Sequence, residues 1–323
     1  MVALFCTFMK KRPFLSGILN HCYQRSAGGG LLFYSQSDYL VWFTIVCVTA
    51  VKYRVTILAL CPMPDHTHFS VTVDTVQALS GFMGAVNRAF SHEQNKLCHT
   101  RSAWFERSFG SVPKTGAKDG RGNLIYVGNN PVERQLAAHA EDYRWTFIAY
   151  AQSSHPFSEK LVIRDSSWKM RNAIREVRAL HKSGKPMNHA VLKRITAKLN
   201  EKEIRQLTDF IIITYNVIDY KQALRFFDGS YEHFLTALHS STGREYDLNE
   251  TFVGKSDKHY AQMVKVLLKE KQLSDIHDFL AWPDSEKMKL FNILRQRTRA
   301  LSVQIYKFLH LPLPKAPEGV RRK

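Results

Sequence analysis

Hydrophobic and polar positions along the first third of the chain repeat with two different periods, and this pattern predicts strands and helices in turn. Residues 19–24 have the pattern of a strand. A mostly apolar segment then follows a capping signature, Ser35 and Asp38, which predicts a helix that ends near Tyr53. Residues 55–60 are apolar and rich in β-branched side chains, which favours a second strand.

The next elements complete an order that is typical of a known α+β arrangement. Polar and apolar residues alternate over residues 66–73, which predicts a third strand. From Thr75, apolar residues at helical spacing predict an amphipathic helix to about Leu97, and residues 104–112 favour a fourth strand. The order β-α-β-β-α-β predicts a ferredoxin-like antiparallel sheet with helices on one face, followed by a mostly helical region.

The segment after the last predicted strand is first rich in glycine and then helical. Residues 113–122 hold three glycines and three basic residues, which predicts a flexible, positively charged loop. Residues 123–130 predict a short helix that stops before Pro131, because a residue that precedes proline is pushed away from the helical region. Tyr126 and Asn130 are four residues apart, so a phenol and an amide are expected on one face.

The second half of the chain is strongly basic in one region. The net charge is +18, from 46 Lys and Arg against 28 Asp and Glu, and residues 160–205 alone carry 13 basic and 4 acidic side chains. One predicted helix carries a cationic stripe, formed by Arg171, Arg175, Arg178 and Lys182. Such a stripe is often only a solvated face, but its density in a basic protein favours contact with phosphates.

Helical periodicity continues through the rest of the chain. Asn200 and Glu203 form a capping box before a helix over residues 204–218. Further helices are predicted over residues 230–238, 257–270, 284–299 and 302–310. The last two could begin a helix-turn-helix, although the prolines after them disrupt the recognition helix, so a plain helical cap is the alternative. Those prolines are Pro312, Pro314 and Pro317.

Composition and segment lengths exclude several classes of protein. The five cysteines are scattered and never form a Cys-x-x-Cys pair, which argues against a disulfide framework or a zinc knuckle. The longest apolar run, residues 39–51, is shorter than the ~20 residues that span a bilayer. We assign no secretory signal and expect a cytoplasmic protein. We expect a domain over residues 1–150, a basic linker over 151–206 and a helical domain over 207–323.

The candidate chemistry begins with a pair of histidines on the third predicted strand. His66 and His68 are two residues apart, so both imidazoles leave the same face of the strand and can reach one ion. The pair alone is weak evidence, because short motifs arise by chance and buried histidines are often held by hydrogen bonds. A zinc site that His66 and His68 share with His92 and His99 is a further alternative.

Four short motifs make the chain resemble the single-tyrosine HUH transposases of the insertion-sequence type, especially the REP-associated tyrosine transposases. They lie in the family's order over residues 15–150. The motifs are Met63-Pro-Asp-His-Thr-His-Phe69, Phe105-Glu-Arg-Ser-Phe-Gly-Ser-Val112, Tyr126-Val-Gly-Asn-Asn-Pro-Val132 and Asp142-Tyr-Arg-Trp145. Together they cover a little under half of the chain.

The resemblance implies a metal-dependent enzyme that cleaves and rejoins single-stranded DNA with hairpins. Through it, His66 and His68 correspond to the HUH pair, Asn130 to the third metal ligand and Tyr126 to the nucleophile that takes up a 5′-phosphate. The expected ion is Mg²⁺ or Mn²⁺, which would neutralise charge on the phosphate oxygens. Arg107 and Lys114, with the stripe, are the expected DNA contacts.

The sequence departs from the family in two places. Thr67 stands between the histidines where relatives have a hydrophobic residue, which is a mild change in a strand. Glycines around the tyrosine predict a shorter, more mobile helix and reduced activity; they are Gly116, Gly120, Gly122 and Gly128. If the alignment slips, Tyr143 or Tyr150 could replace the tyrosine, and Asn129 the amide.

Two classes of function therefore remain from the sequence. The first is a DNA strand transferase, either mobile or domesticated. The second is a non-catalytic nucleic-acid-binding protein on the same basic, aromatic-bearing sheet. Covalent trapping of DNA would distinguish them. The recognised DNA sequence and the oligomeric state, monomer or dimer, stay open, and no membrane partner is expected.

Overall fold

The computed structural model describes residues 13–241, 256–270, 273 and 275–313. Its strands are β1 Asn20–Arg25, β2 Thr56–Met63, β3 His66–Thr72 and β4 Gly110–Pro113. The α-helices within the described ranges are α1 Gln36–Tyr53, α2 Val76–Cys98, α3 Ala117–Glu133, α4 Trp168–Lys182, α5 His189–Thr196, α6 Glu201–Tyr215, α7 Tyr220–Leu224, α8 Tyr231–Ser240, α9 Lys258–Glu270, α10 Asp284–Arg297 and α11 Ser302–Phe308. Pro314 and Pro317 lie outside the described residues.

The four strands form one antiparallel sheet in the order β2-β3-β1-β4. β3 is an interior strand, where His68 lies opposite Cys61 of β2 and Tyr23 of β1. α1 connects β1 to β2, and α2 connects β3 to β4. The predicted α+β, ferredoxin-like β-α-β-β-α-β sheet is therefore confirmed.

The two faces of the sheet differ in polarity. On one face α1 and α2 enclose an apolar layer, in which Phe69 of β3 lies against Phe82 of α2 with ring centroids 5.9 Å apart. Because strand side chains alternate between faces, His66, His68 and Ser70 point the other way. α3 covers that second face and contacts both β2 and β3. The sheet thus has helices on both sides and not on one face as predicted, because α3 folds back over the polar side chains of β3.

The N-terminus of α1 is also a buried polar junction. Ser35 and Asp38 form the predicted capping box. Asp38 is fully buried and also forms hydrogen bonds with His189 at 2.9 Å and with His277 at 3.0 Å. Burial raises the pKa of Asp38, but the charge of His277 and the hydrogen bonds of both histidines outweigh it and hold that pKa well below its usual range. The carboxylate therefore joins α1 to two segments from the second half of the chain.

The helices of the second half follow the predicted pattern closely. α4 buries Met170, Ile174 and Val177, and α6 begins at the predicted capping box of Asn200 and Glu203. One cluster of buried apolar residues extends from β1 to the residues that follow α11.

The division of the chain at residues 150 and 206 stays a prediction. None of the described helices is both long and apolar enough to cross a membrane.

Two local predictions were wrong. α3 begins at Ala117 and continues through Pro131 to Glu133, whereas a loop to residue 122 and a helix end before Pro131 were expected. Gly120 is buried so closely against Phe226 that a Cβ atom would overlap the ring, so this glycine serves packing instead of mobility. The last strand covers only Gly110–Pro113 and not residues 104–112 as predicted. Before Gly110, Phe105 forms only an isolated bridge, to Ser26.

Candidate active site

β3 and α3 bring the candidate site residues together. Ser70 Oγ donates to Asn123 Oδ1 at 2.7 Å, and Asn130 Nδ2 lies 3.1 Å from His68 Nε2. These two contacts set the position of the helix along the strand. Between them, the buried ring of Tyr126 stands edge-on to that of His68, with centroids 5.4 Å apart. The shared face of Tyr126 and Asn130 is thus turned toward the sheet.

The carboxylate of the preceding residue orients His66. Its Nδ1 lies 2.6 Å from Asp65 Oδ1, while Asp65 Oδ2 accepts a hydrogen bond from Lys307 of α11 at 2.8 Å. Burial raises the pKa of Asp65, but His66 and Lys307 outweigh it and hold that pKa well below its usual range. Because the carboxylate accepts the proton of Nδ1, the assigned tautomer leaves a lone pair on Nε2. That Nε2 is buried and has no hydrogen-bond partner within the described ranges.

His68 is held from both sides. Its Nδ1 lies 3.1 Å from Nε2 of His21 on β1, and its Nε2 faces the amide nitrogen of Asn130. An amide nitrogen can only donate, so Nε2 of His68 is the acceptor and its Nδ1 carries the proton that is given to His21. Burial lowers the pKa of His68 well below its usual value. His68 is therefore neutral at pH 7, as a metal-binding imidazole must be.

The three side chains fit a divalent metal ion. The rings of His66 and His68 are perpendicular, with centroids 4.8 Å apart, and both Nε2 atoms hold lone pairs. Asn130 Oδ1 is also buried without a hydrogen-bond partner in the described part of the chain. Buried acceptors that find no donor are costly, and imidazole nitrogen and amide oxygen are both ligand types for divalent metal ions.

The other candidate tyrosines are engaged elsewhere. The hydroxyl of Tyr143 donates to the carbonyl of Pro62 at 3.3 Å, and that of Tyr150 donates to Asp209 at 2.6 Å. Burial raises the pKa of both phenols above the ordinary value. Of the three, Tyr126 is the tyrosine whose ring lies against the histidines.

The alternative amide and the alternative histidines also lie apart from the site. Asn129 Nδ2 donates to the carbonyl of Leu238 on α8 at 2.8 Å, so its side chain is directed away from β3. His92 and His99 are exposed at α2, which packs on the opposite face of the sheet. The structure does not bring them to the histidine pair of β3.

A cavity of about 300 Å³ opens beside His66. Its lining includes three basic side chains: Arg25, Arg134 and Lys307. Arg134 lies at the end of α3 and forms an ion pair with the buried Asp257 at 3.7 Å. Burial raises the pKa of Asp257 to about 6. Lys307 of α11 thus forms part of the wall around the histidine site, and Asp257, which directly precedes α9, contacts that wall through Arg134.

The predicted DNA contacts lie on two separate surfaces. Arg107 is exposed in the loop before β4, and Lys114 follows β4 and is partly exposed. The stripe of Arg171, Arg175, Arg178 and Lys182 lies on α4, which packs against α5 and α6. α6 in turn packs against α1, on the face of the sheet away from the histidines. The structure therefore does not bring the stripe to the site.

Sequence reasoning missed three residues of the site: His21, Asp65 and Lys307. Asp65 had a local signal, since it directly precedes His66 and carboxylates commonly orient metal-binding histidines. His21 reaches the site through the pairing of β1 with β3, and Lys307 reaches it from the last helix. No pattern near either residue in the sequence indicates these contacts.

Comparison with known proteins gives one family match and one similar solved structure. The family model described as "Transposase IS200 like" matches residues 35–118, about a quarter of the chain, which includes both histidines and ends before Tyr126. A solved structure of a REP-associated tyrosine transposase bound to a REP hairpin is similar over 47% of this chain and 92% of that chain, with 15% sequence identity and a TM-score of 0.38. No curated protein matches the sequence. The resemblance to IS200-like transposases is thus confirmed over the matched segment.

Proposed function

We propose that the protein cleaves and rejoins single-stranded DNA, with Tyr126 as the nucleophile and one Mg²⁺ or Mn²⁺ bound by His66, His68 and Asn130. The observation that carries this proposal is the pair of buried acceptors, His66 Nε2 and Asn130 Oδ1, beside the neutral His68 and one helical turn from Tyr126. The family match supports it, because the matched segment includes both histidines.

In the proposed reaction, the phenolic oxygen of Tyr126 attacks phosphorus and the bond to the 3′ oxygen breaks. The phosphate moves to the tyrosine as a 5′-phosphotyrosine, and the leaving oxygen takes up a proton to become a free 3′-OH. When bound, the ion neutralises charge that builds on the non-bridging oxygens. The energy of the phosphodiester is conserved in the tyrosine link, so the 3′-OH of another strand can reverse the step without ATP.

Neighbouring side chains orient the proposed metal ligands and the tyrosine. Asp65 and His21 hold the two metal-binding imidazoles in the tautomers that leave Nε2 unprotonated. A free phenol ionises only near pH ~10, so the attacking oxygen needs a proton acceptor. The rings of His21 and His68 stand edge-on to that of Tyr126, with centroids 5.6 and 5.4 Å away, and so hold the phenol beside the histidine pair. Because His68 donates from Nδ1 to His21 and offers Nε2 to the ion, a water molecule beside the phenol would take up the proton.

Basic side chains would hold the DNA. Arg25, Arg134 and Lys307 line the cavity beside His66, where a phosphate could approach, and Arg107 and Lys114 flank β4. The stripe on α4 forms a second basic surface, which suits the stem or flank of a hairpin that extends beyond the site. Phosphate contacts of this kind are independent of sequence and depend on salt.

The metal should bind weakly in the absence of DNA. Two neutral imidazoles and one amide bring no negative charge into contact with the ion, and phosphate oxygens of the substrate would supply the missing ligands. We therefore expect Mn²⁺ affinity to rise when a single-stranded oligonucleotide is present. His66→Ala should remove Mn²⁺ binding as measured by calorimetry or paramagnetic line broadening, and equal binding by both proteins would exclude the site.

Covalent trapping of DNA tests the nucleophile. Labelled hairpin oligonucleotides from the DNA that flanks the gene are incubated with protein and Mg²⁺ or Mn²⁺, and adducts are resolved on a denaturing gel. Tyr126→Phe keeps the ring and its packing but lacks the oxygen, so it should bind DNA and form no adduct. Tyr143→Phe is the matched control and should form the adduct as the wild type does.

The result also decides between the two classes of function. An adduct that persists in Tyr126→Phe and disappears in Tyr143→Phe would move the nucleophile and overturn the assignment. If no flanking substrate gives an adduct while binding is retained, the protein is a non-catalytic nucleic-acid-binding relative of the transposases. The buried position of Tyr126, only 7% exposed, is the observation that favours this second function.

A further inference from the structure

A second group of metal-binding side chains lies outside the site described above. His139 and Glu141 belong to the segment that follows α3, and His239 is in the last turn of α8. One potential ligand atom from each side chain lies within 4.8 Å of the others. Glu141 Oε1 and His239 Nε2 are 2.8 Å apart, and the rings of His139 and His239 have centroids 4.7 Å apart. Three potential metal-binding side chains from two separate segments therefore lie close together.

We propose that His139, Glu141 and His239 bind one Zn²⁺ ion, which fastens α8 to the segment after the tyrosine helix. Two imidazoles with one carboxylate form a common donor set for zinc, and a water would take the fourth tetrahedral position on the exposed side. Zinc–ligand distances of about 2.0 Å require ligand atoms roughly 3.3 Å apart. The ligand atoms now lie within 4.8 Å of one another, so the proposed site requires shifts of about 1.5 Å, which is within the reach of side-chain rotation.

The state of Glu141 supports a ligand at this point. One carboxylate oxygen is used by His239, while Oε2 is buried and has no hydrogen-bond partner in the described part of the chain. Both histidines are exposed, so an ion could reach the group from solvent. Without metal, the contact between Glu141 and His239 is a surface ion pair, and such pairs contribute only about 0–1 kcal/mol.

The consequence of the ion follows from the packing of α8 on α3. Leu238, next to His239, accepts the hydrogen bond of Asn129, the neighbour of the proposed ligand Asn130. Leu238 also packs over Gly128 so closely that a Cβ there would lie 2.7 Å from its Cδ2. A metal that fixes His239 would thus hold the part of α3 that carries Asn130 against the sheet. The second ion stabilises the site and takes no part in the reaction.

The test uses the full chain and Zn²⁺ alone, after treatment with EDTA. Wild-type protein should bind Zn²⁺ in calorimetry and unfold at a higher temperature than the EDTA-treated protein. His239→Ala and His139→Ala, from two different elements, should each weaken this binding by more than the roughly 10–100-fold that outer partners of a metal ligand cost. His233→Ala is the matched control, since His233 is an exposed histidine of the same helix and should leave binding unchanged.

Zinc could also bind at the histidine pair of β3, so the two sites must be separated. His66→Ala should keep the binding event that His239→Ala removes, whether or not the protein forms a DNA adduct. The proposal is overturned if His239→Ala and His139→Ala, both folded by circular dichroism, retain wild-type zinc affinity. It is equally overturned if zinc binding is lost in His66→Ala alone, because the ion would then occupy the other site.

Discussion

The contact between Asp65 and His66 gives a sharp test of how the proposed metal site is oriented. Asp65 Oδ1 holds His66 Nδ1 at 2.6 Å, and its other oxygen holds Lys307 at 2.8 Å. Asp65→Asn keeps the shape of the side chain but removes its charge and one of its two hydrogen-bond acceptor oxygens. The tautomer of His66 is then no longer fixed. Loss of such an outer partner typically weakens metal binding tenfold to a hundredfold, or about 1.4–2.7 kcal/mol.

Mn²⁺ affinity, measured by calorimetry with a non-cleavable single-stranded oligonucleotide present, is the appropriate assay for this variant. Lys307→Met is the matched control, because it removes the other partner of Asp65 and leaves the contact with His66 intact. With saturating oligonucleotide, Lys307→Met should bind Mn²⁺ within a few-fold of wild type, although it loses the contact between α11 and β3 and one candidate phosphate contact. If Asp65→Asn binds Mn²⁺ as tightly as wild type, the carboxylate does not prepare His66, and the reasoning from the hydrogen bond fails.

Three further outcomes concern the stripe on α4 and the buried junction at Asp38. Changing Arg171, Arg175 and Arg178 to glutamate should weaken binding to all DNA sequences alike and flatten its salt dependence by ~0.7 log units per lost single-strand contact; an unchanged slope would make the stripe a solvated face. Asp38→Asn should lower the free energy of unfolding in urea by about 3–5 kcal/mol, because a buried charged pair loses one partner; a loss below about 1 kcal/mol would contradict this. Burial lowers the pKa of His277, but Asp38 and a neighbouring carboxylate outweigh it and raise that pKa to about 10. The resulting stability is complete below the unfolded pKa of ~6.5 and is lost as pH rises toward 10, so urea midpoints should fall across that window in wild type and less in Asp38→Asn.

Local signals predicted most of the elements around the site. The capping boxes at Ser35 and Asn200 formed as expected, because the side chains that satisfy a helix terminus lie within three residues of each other. Alternation along β3 placed His66 and His68 on one face, since the strand period does not depend on distant contacts. The shared face of Tyr126 and Asn130 followed from helical geometry in the same way.

The errors arose where distant contacts override local preference. Gly120 favours a loop by itself, but in the fold it lets α3 approach Phe226, which lies more than a hundred residues away. Pro131 has no N–H to donate, yet α3 continues past it for two residues. The partner that holds the imidazole of His68, His21, becomes visible only once β1 and β3 are paired.

The ion pair between Lys307 and Asp65 joins two residues that are synthesised at different times. The two residues are 242 positions apart, so at about 5–20 residues per second the lysine is made on the order of 10–50 s after the aspartate. The first 133 residues, with the strands and α3, are complete well before the lysine is made. The part of the cavity wall that α11 forms is therefore added after the four strands and α3 have been made, and until then Asp65 lacks Lys307 as a partner.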